Sequence, residues 1–81
     1  MTKTQILATL AKDYRRAETV YQSMQKQARI LLEQGKPADF QDMSNRAEFR
    51  AGTLHGIQRA AEALGISKAD FMAAVQELRP E

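Results

Sequence analysis

Two stretches of this chain repeat apolar residues at alternating steps of three and four, and no other feature limits its fold so tightly. Leu7, Leu10, Tyr14, Ala17, Tyr21, Met24, Ala28 and Leu31 form the first series. Phe40, Met43, Ala47, Arg50, Leu54, Ile57, Ala61 and Leu64 form the second, with Arg50 as its one polar member. Such a rhythm belongs to a helix with a coiled-coil seam, so two long helices are expected. A reversal at Gly35 and Lys36 brings each seam residue opposite the one whose number sums with its own to 71. Leu31 then faces Phe40, Ala28 Met43, Met24 Ala47, Tyr21 Arg50, Ala17 Leu54, Tyr14 Ile57, Leu10 Ala61 and Leu7 Leu64. Four of these eight pairs set alanine against Leu or Met. Large against small is what interdigitating layers need to reach native packing density, so the pattern specifies one antiparallel hairpin in one register.

Local punctuation sets the boundaries. Thr2 with Gln5 is a capping-box pair, which starts helix 1 near Lys3; the helix runs to about Glu33. Gly35 suits the left-handed residue after a helix, and Pro37 suits the first turn of the next, where Asp39 and Asp42 meet its positive end. Helix 2 is expected over 37–64. Gly65 ends it, Ser67 with Asp70 offers a second capping box, and a short helix 3 over 68–78 precedes a fraying Arg79-Pro80-Glu81. The expected fold class is all-α: a long antiparallel two-helix coiled-coil hairpin plus a short third helix, forming a single domain over residues 1–81. A chain of this length buries only about 60 to 65% of its unfolded surface, which makes assembly into a dimer a natural source of added stability.

Composition excludes several function classes. The 81 residues contain no cysteine, so neither disulfides nor thiolate metal sites are available. His55 is the single histidine, and Glu48 and Glu62 lie about 10 Å to either side of it along a helix, too far to share one metal ion. Ser23, Ser44 and Ser67 have no base within helical reach. No catalytic residue, metal site, cofactor or small-molecule substrate is expected, and the chain reads as non-enzymatic. No apolar run approaches the roughly 18 to 20 residues of a membrane span, and Met1-Thr2-Lys3-Thr4 lacks the apolar core of a secretory signal, so a cytoplasmic location is expected.

The helices carry more apolar surface than one seam uses. On helix 1, Ile6, Val20 and Leu32 flank the seam. Helix 3 offers Phe71, Val75 and Leu78 beside Met72, a face suited to folding back near Ile6, Leu7 and Leu64. Helix 2 carries a second stripe, Phe49, Gly52, Gly56, Ala60 and Ala63, turned away from the seam. Two glycines within a helix cost together about 2 kcal/mol relative to alanine. They either relax the helix, make room for helix 3, or let another helix approach closely with Phe49 as its aromatic anchor. In the last case these five residues form a partner-binding face. The incoming helix then belongs most often to an identical subunit, as in a four-helix arrangement about a two-fold axis, or to a larger protein complex. At the seam, Arg50 is expected to lie over Tyr21 with its stem packed below.

Two features point instead toward nucleic acid. The net charge is +2, but residues 1–35 hold six basic and three acidic side chains against six and seven in 36–81. Lys12, Arg15, Arg16, Lys26 and Arg29 fall on the outward side of helix 1, where they form a candidate phosphate-tracking stripe. The stretch Ala61-Glu62-Ala63-Leu64-Gly65-Ile66-Ser67 resembles the turn of a helix-turn-helix, with Phe71 at the expected apolar contact. That resemblance covers about 15 residues. The helix that would enter the groove offers Lys68, Ala69, Met72, Ala73 and Gln76, whose apolar members read no base edge, while Asp70 and Glu77 repel phosphate. The reading that accounts for most of the chain is a small protein–protein interaction module. It would act as an adaptor, antagonist or regulatory subunit, of the size and class of phage or plasmid accessory proteins that inhibit or recruit a host complex. A nucleic-acid-binding regulator is the alternative.

Overall fold

The computed structural model describes residues 2–80. Three helices, α1 (Lys3–Glu33), α2 (Pro37–Ala63) and α3 (Lys68–Leu78), follow in that order, with no strand among the described residues. The punctuation acts as its chemistry dictates. Thr2 Oγ1 accepts from the Gln5 amide at 3.2 Å, and Gln5 Oε1 accepts from the Thr2 amide at 2.9 Å, closing the first capping box. Ser67 Oγ accepts from the Asp70 amide at 3.1 Å, so the second cap is this one bond and not the reciprocal box expected of Ser67 with Asp70. Gly35 and Gly65 take φ of +71° and +80°, conformations in which a Cβ would be strained. Each closes a Schellman motif: the Lys36 and Gly35 amides donate to the Leu31 and Leu32 carbonyls, and those of Ile66 and Gly65 to Ala61 and Glu62.

α1 and α2 pack against each other along most of their length, in the manner of a hairpin. All eight α1 seam residues are buried or half-buried, as are the α2 seam residues from Phe40 to Ala61. One cleft gathers Ala28 with Ser44 and Ala47, and another gathers Ala17 and Val20 with Arg50 and Thr53, so the chain folds back about residues 34–36. At the open end the Lys3 ammonium donates to the Gly65 carbonyl at 3.2 Å.

α3 lies mainly on α1. Phe71 and Val75 are fully buried, and their cluster includes Ala11, Tyr14, Ala61 and Ile66, with Leu7, Leu10, Leu54 and Ile57 packed around it. The Phe71 ring meets Tyr14 edge-on, centroids 5.3 Å apart.

Four expectations are corrected at this junction and along the seam. Leu64 does not fill the open end against Leu7 but stays 51% exposed, because the helix ends at Ala63 and the Schellman turn delivers Ile66 into the core. Arg79 does not fray: its Nε donates to Glu18 Oε1 at 3.0 Å, its Nη2 donates to Glu18 Oε2, and its Nη1 donates to Gln76. Arg15 is not a free outward cation. Its Nη1 donates to Glu18 at 3.3 Å and to Thr19 at 2.8 Å, and its Nε is buried without a hydrogen-bond partner. Arg50 lies in the cleft with Asp13 and Arg16, whereas Tyr21 lines the cleft on the other side of the seam and its hydroxyl accepts from Gln25.

Burial first, and the Glu18 carboxylate second, raise the Tyr14 hydroxyl above its ordinary pKa of 10.0, with Arg79 opposing them. The folded chain thus holds this proton more tightly than the unfolded one. The stability so gained is fully present below about pH 10 and is lost as pH rises through the raised value. Thermal melts at about pH 9 and about pH 11 should therefore fall more for the wild type than for Tyr14→Phe. Parallel losses would contradict this assignment.

Candidate interaction surface

The register that buries the α2 seam fixes what the helix shows to solvent. With Ala47 and Ala61 buried and Leu54 and Ile57 half-buried, the opposite side carries Phe49, Gly52, Gly56, Ala60 and Ala63, all exposed. The structure thus brings the five predicted partner-binding residues together as one strip, about 21 Å long at the rise of a helix. Phe49, at 76%, is the most exposed large apolar side chain among the described residues. A Cβ added at Gly52 or Gly56 would meet nothing within 4 Å. The expectation that these glycines make room for helix 3 is therefore corrected: α3 sits on α1, and the strip is open. Its edge toward the interhelical loop carries an exposed Asp42–Arg46 pair at 3.2 Å, worth below about 1 kcal/mol at such exposure.

Of the five basic residues of the predicted α1 stripe, Lys12, Arg16, Lys26 and Arg29 are exposed and Arg15 is half-buried. Lys12 and Arg16 are exposed beside the end of α3, where they line a shallow depression with Arg15, Thr19 and Leu78. Lys26 is exposed, and Arg29, one turn on, lines a groove between α1 and α2. With Arg15 held by Glu18, the free positive charge of α1 is divided between its two halves.

Sequence reasoning missed two features. The first is the Glu18 cluster, in which a carboxylate only 8% exposed joins α1 to the end of α3. The second is that groove, open in the half of the hairpin that α3 does not reach, and lined by Tyr21, Ala28 and Leu32 of α1 with Phe40, Ala47 and Ala51 of α2. A signal for the groove was present. Ala8, Ala11, Glu18, Gln25 and Leu32 continue a second stripe beside the α1 seam, and its small members leave room for a crossing helix.

Among the described residues no three His, Asp or Glu side chains stand close enough to hold a metal ion, and no helix is long and apolar enough to cross a membrane. The chain matches no protein-family model, no curated protein and no solved structure.

Proposed function

We propose that this protein is a non-enzymatic interaction module whose outer α2 face docks a helix of another protein, so that it works as an adaptor, antagonist or regulatory subunit. The observation that carries the reading is the open strip from Phe49 to Ala63, with glycines at its centre, an exposed aromatic ring at one end and a single exposed cation, Arg59, beside Gly56. Glycines at 52 and 56 let a partner backbone come closer than any side chain would allow. Phe49 supplies the anchor, and full burial of its ring contributes about 2 kcal/mol. The helix loses about 2 kcal/mol of intrinsic propensity by carrying both glycines, a cost that an idle solvent face would not offset.

Gly56→Leu separates the contact from the fold. The added side chain projects into empty space and improves helix propensity by up to about 1 kcal/mol, so the variant should melt at or above the wild-type temperature. Partner capture from producing cells, after nuclease treatment, should be lost with Gly56→Leu and weakened by Phe49→Ala. It should be retained when Arg16, Lys26 and Arg29 are neutralised together. Capture that survives Gly56→Leu contradicts the reading. DNA or RNA retained at physiological salt, and released by the triple neutralisation with a flatter salt slope, would place the function on α1 instead.

A further inference from the structure

A second face of the hairpin, independent of the outer α2 strip, is also incomplete. α3 fills one half of the long groove between α1 and α2. Phe71 and Val75 seat there against Ala11, Tyr14 and Ala61, and Gln58 of α2 reaches Met72. α3 stops at Leu78, where Arg79 is pinned to Glu18. One turn beyond Glu18, at Tyr21, the same groove continues uncovered for about 17 Å along α1. Its floor is apolar, with Ala28, Leu32, Phe40 and Ala51, and Leu32 is 55% exposed. Arg29 on one rim and Glu48 on the other leave it without net charge.

We propose that a second copy of this chain fills the uncovered half of the groove, the two copies meeting end for end like a lap joint. Area sets the scale. The accessible surface is 5844 Å², against about 4,900 Å² for a typical monomer of this mass, an excess of about 900 Å². A standard interface buries about 800 Å² on each partner. Continuity and shape name the occupant. The open half is the extension of an interface that already takes a helix, and α3 raises a step one helix thick, about 8 to 10 Å, at its border. Two copies laid in the same direction would collide at their α3 helices. Turned end for end, each puts its 34–36 loop against the other's step, and the two uncovered halves close on each other around Gln25. Because the grooves are uncharged overall, this contact brings no like-charge repulsion.

Sedimentation of the full chain from low micromolar to submillimolar concentration tests the arrangement. The wild type should be dimeric in the upper range. Leu32→Glu, at an exposed position, should keep its helicity and raise the dimer dissociation constant at least about tenfold by placing a charge in the closed groove. Gly56→Leu should leave the dimer intact, which keeps this contact distinct from the one on outer α2. Because the chain has no native cysteine, Gln25→Cys should cross-link between copies on mild oxidation and Ala60→Cys should not. A wild type that stays monomeric throughout, a dimer untouched by Leu32→Glu, or cross-linking through position 60 and not 25 would overturn the proposal.

Discussion

Phe71→Ala should detach α3 and cost about 3 to 5 kcal/mol, the range for removing a fully buried aromatic ring. Phe71 is 1% exposed and stands edge-on to Tyr14 in the cluster that joins all three helices. The cavity left behind cannot be refilled from the same helix, because the other large buried side chain of α3, Val75, is already fully enclosed. With 11 residues, α3 is too short to stay helical in water once released. Urea unfolding of the variant should therefore report the lost stability, and far-UV circular dichroism in native buffer should lose the signal of the 11 residues of α3, about one sixth of the helical total. Since a domain of this size is only marginally stable, the change is large enough to leave much of the population unfolded at 37 °C. Unchanged stability would mean that α3 rests on the hairpin without being part of its core.

Glu18→Ala should produce the second largest effect. The carboxylate is buried and accepts from the guanidinium groups of both Arg15 and Arg79, so it neutralises two cations brought together beneath the end of α3. Its removal deletes charge-assisted hydrogen bonds typically worth about 1.5 to 3 kcal/mol and leaves two like charges facing each other. A destabilisation of about 2 to 3 kcal/mol is expected from chemical denaturation, together with faster amide exchange over the last turn of α3. Arg79→Ala should release that turn while leaving Arg15 on Glu18, and so act more mildly. The double variant Glu18→Ala with Arg79→Ala should be less than additive, because the second change removes one of the cations orphaned by the first. Strict additivity would show that the two side chains do not act as a pair.

How much of this was legible in the sequence depends on the range of the signal. Helix boundaries rest on neighbours within a turn, and Thr2 with Gln5, Gly35 before Pro37, and Gly65 before Ser67 placed the three helices to within a residue. The seam also follows from period alone, since burying one face of α2 against α1 leaves few alternatives for Ala47, Leu54 or Ala61. Contacts between elements distant in sequence were less visible. The Glu18–Arg79 bond joins residues 61 positions apart, and nothing local distinguishes Glu18 from the solvated carboxylates of any soluble helix. Arg15 appeared as one cation among five, although its partners Glu18 and Thr19 lie within one turn of it on α1. Leu64 went wrong at the opposite extreme: continuing the periodicity one step past the Schellman turn gave it a place that Ile66 occupies. The outer α2 strip was legible as a pattern, and the structure adds that among the described residues nothing lies within 4 Å of a Cβ at Gly52 or Gly56.

The central claim is that a partner helix lies on that strip. A photo-cross-linking amino acid at position 49, in place of the most exposed aromatic ring, reports contact at the anchor itself. In producing cells it should yield one discrete adduct with a different protein, and that adduct should vanish when Gly56→Leu is added and persist when Leu32→Glu is added. An adduct indifferent to Gly56→Leu, or none beyond the background of the same probe placed at position 12 on α1, would contradict the account.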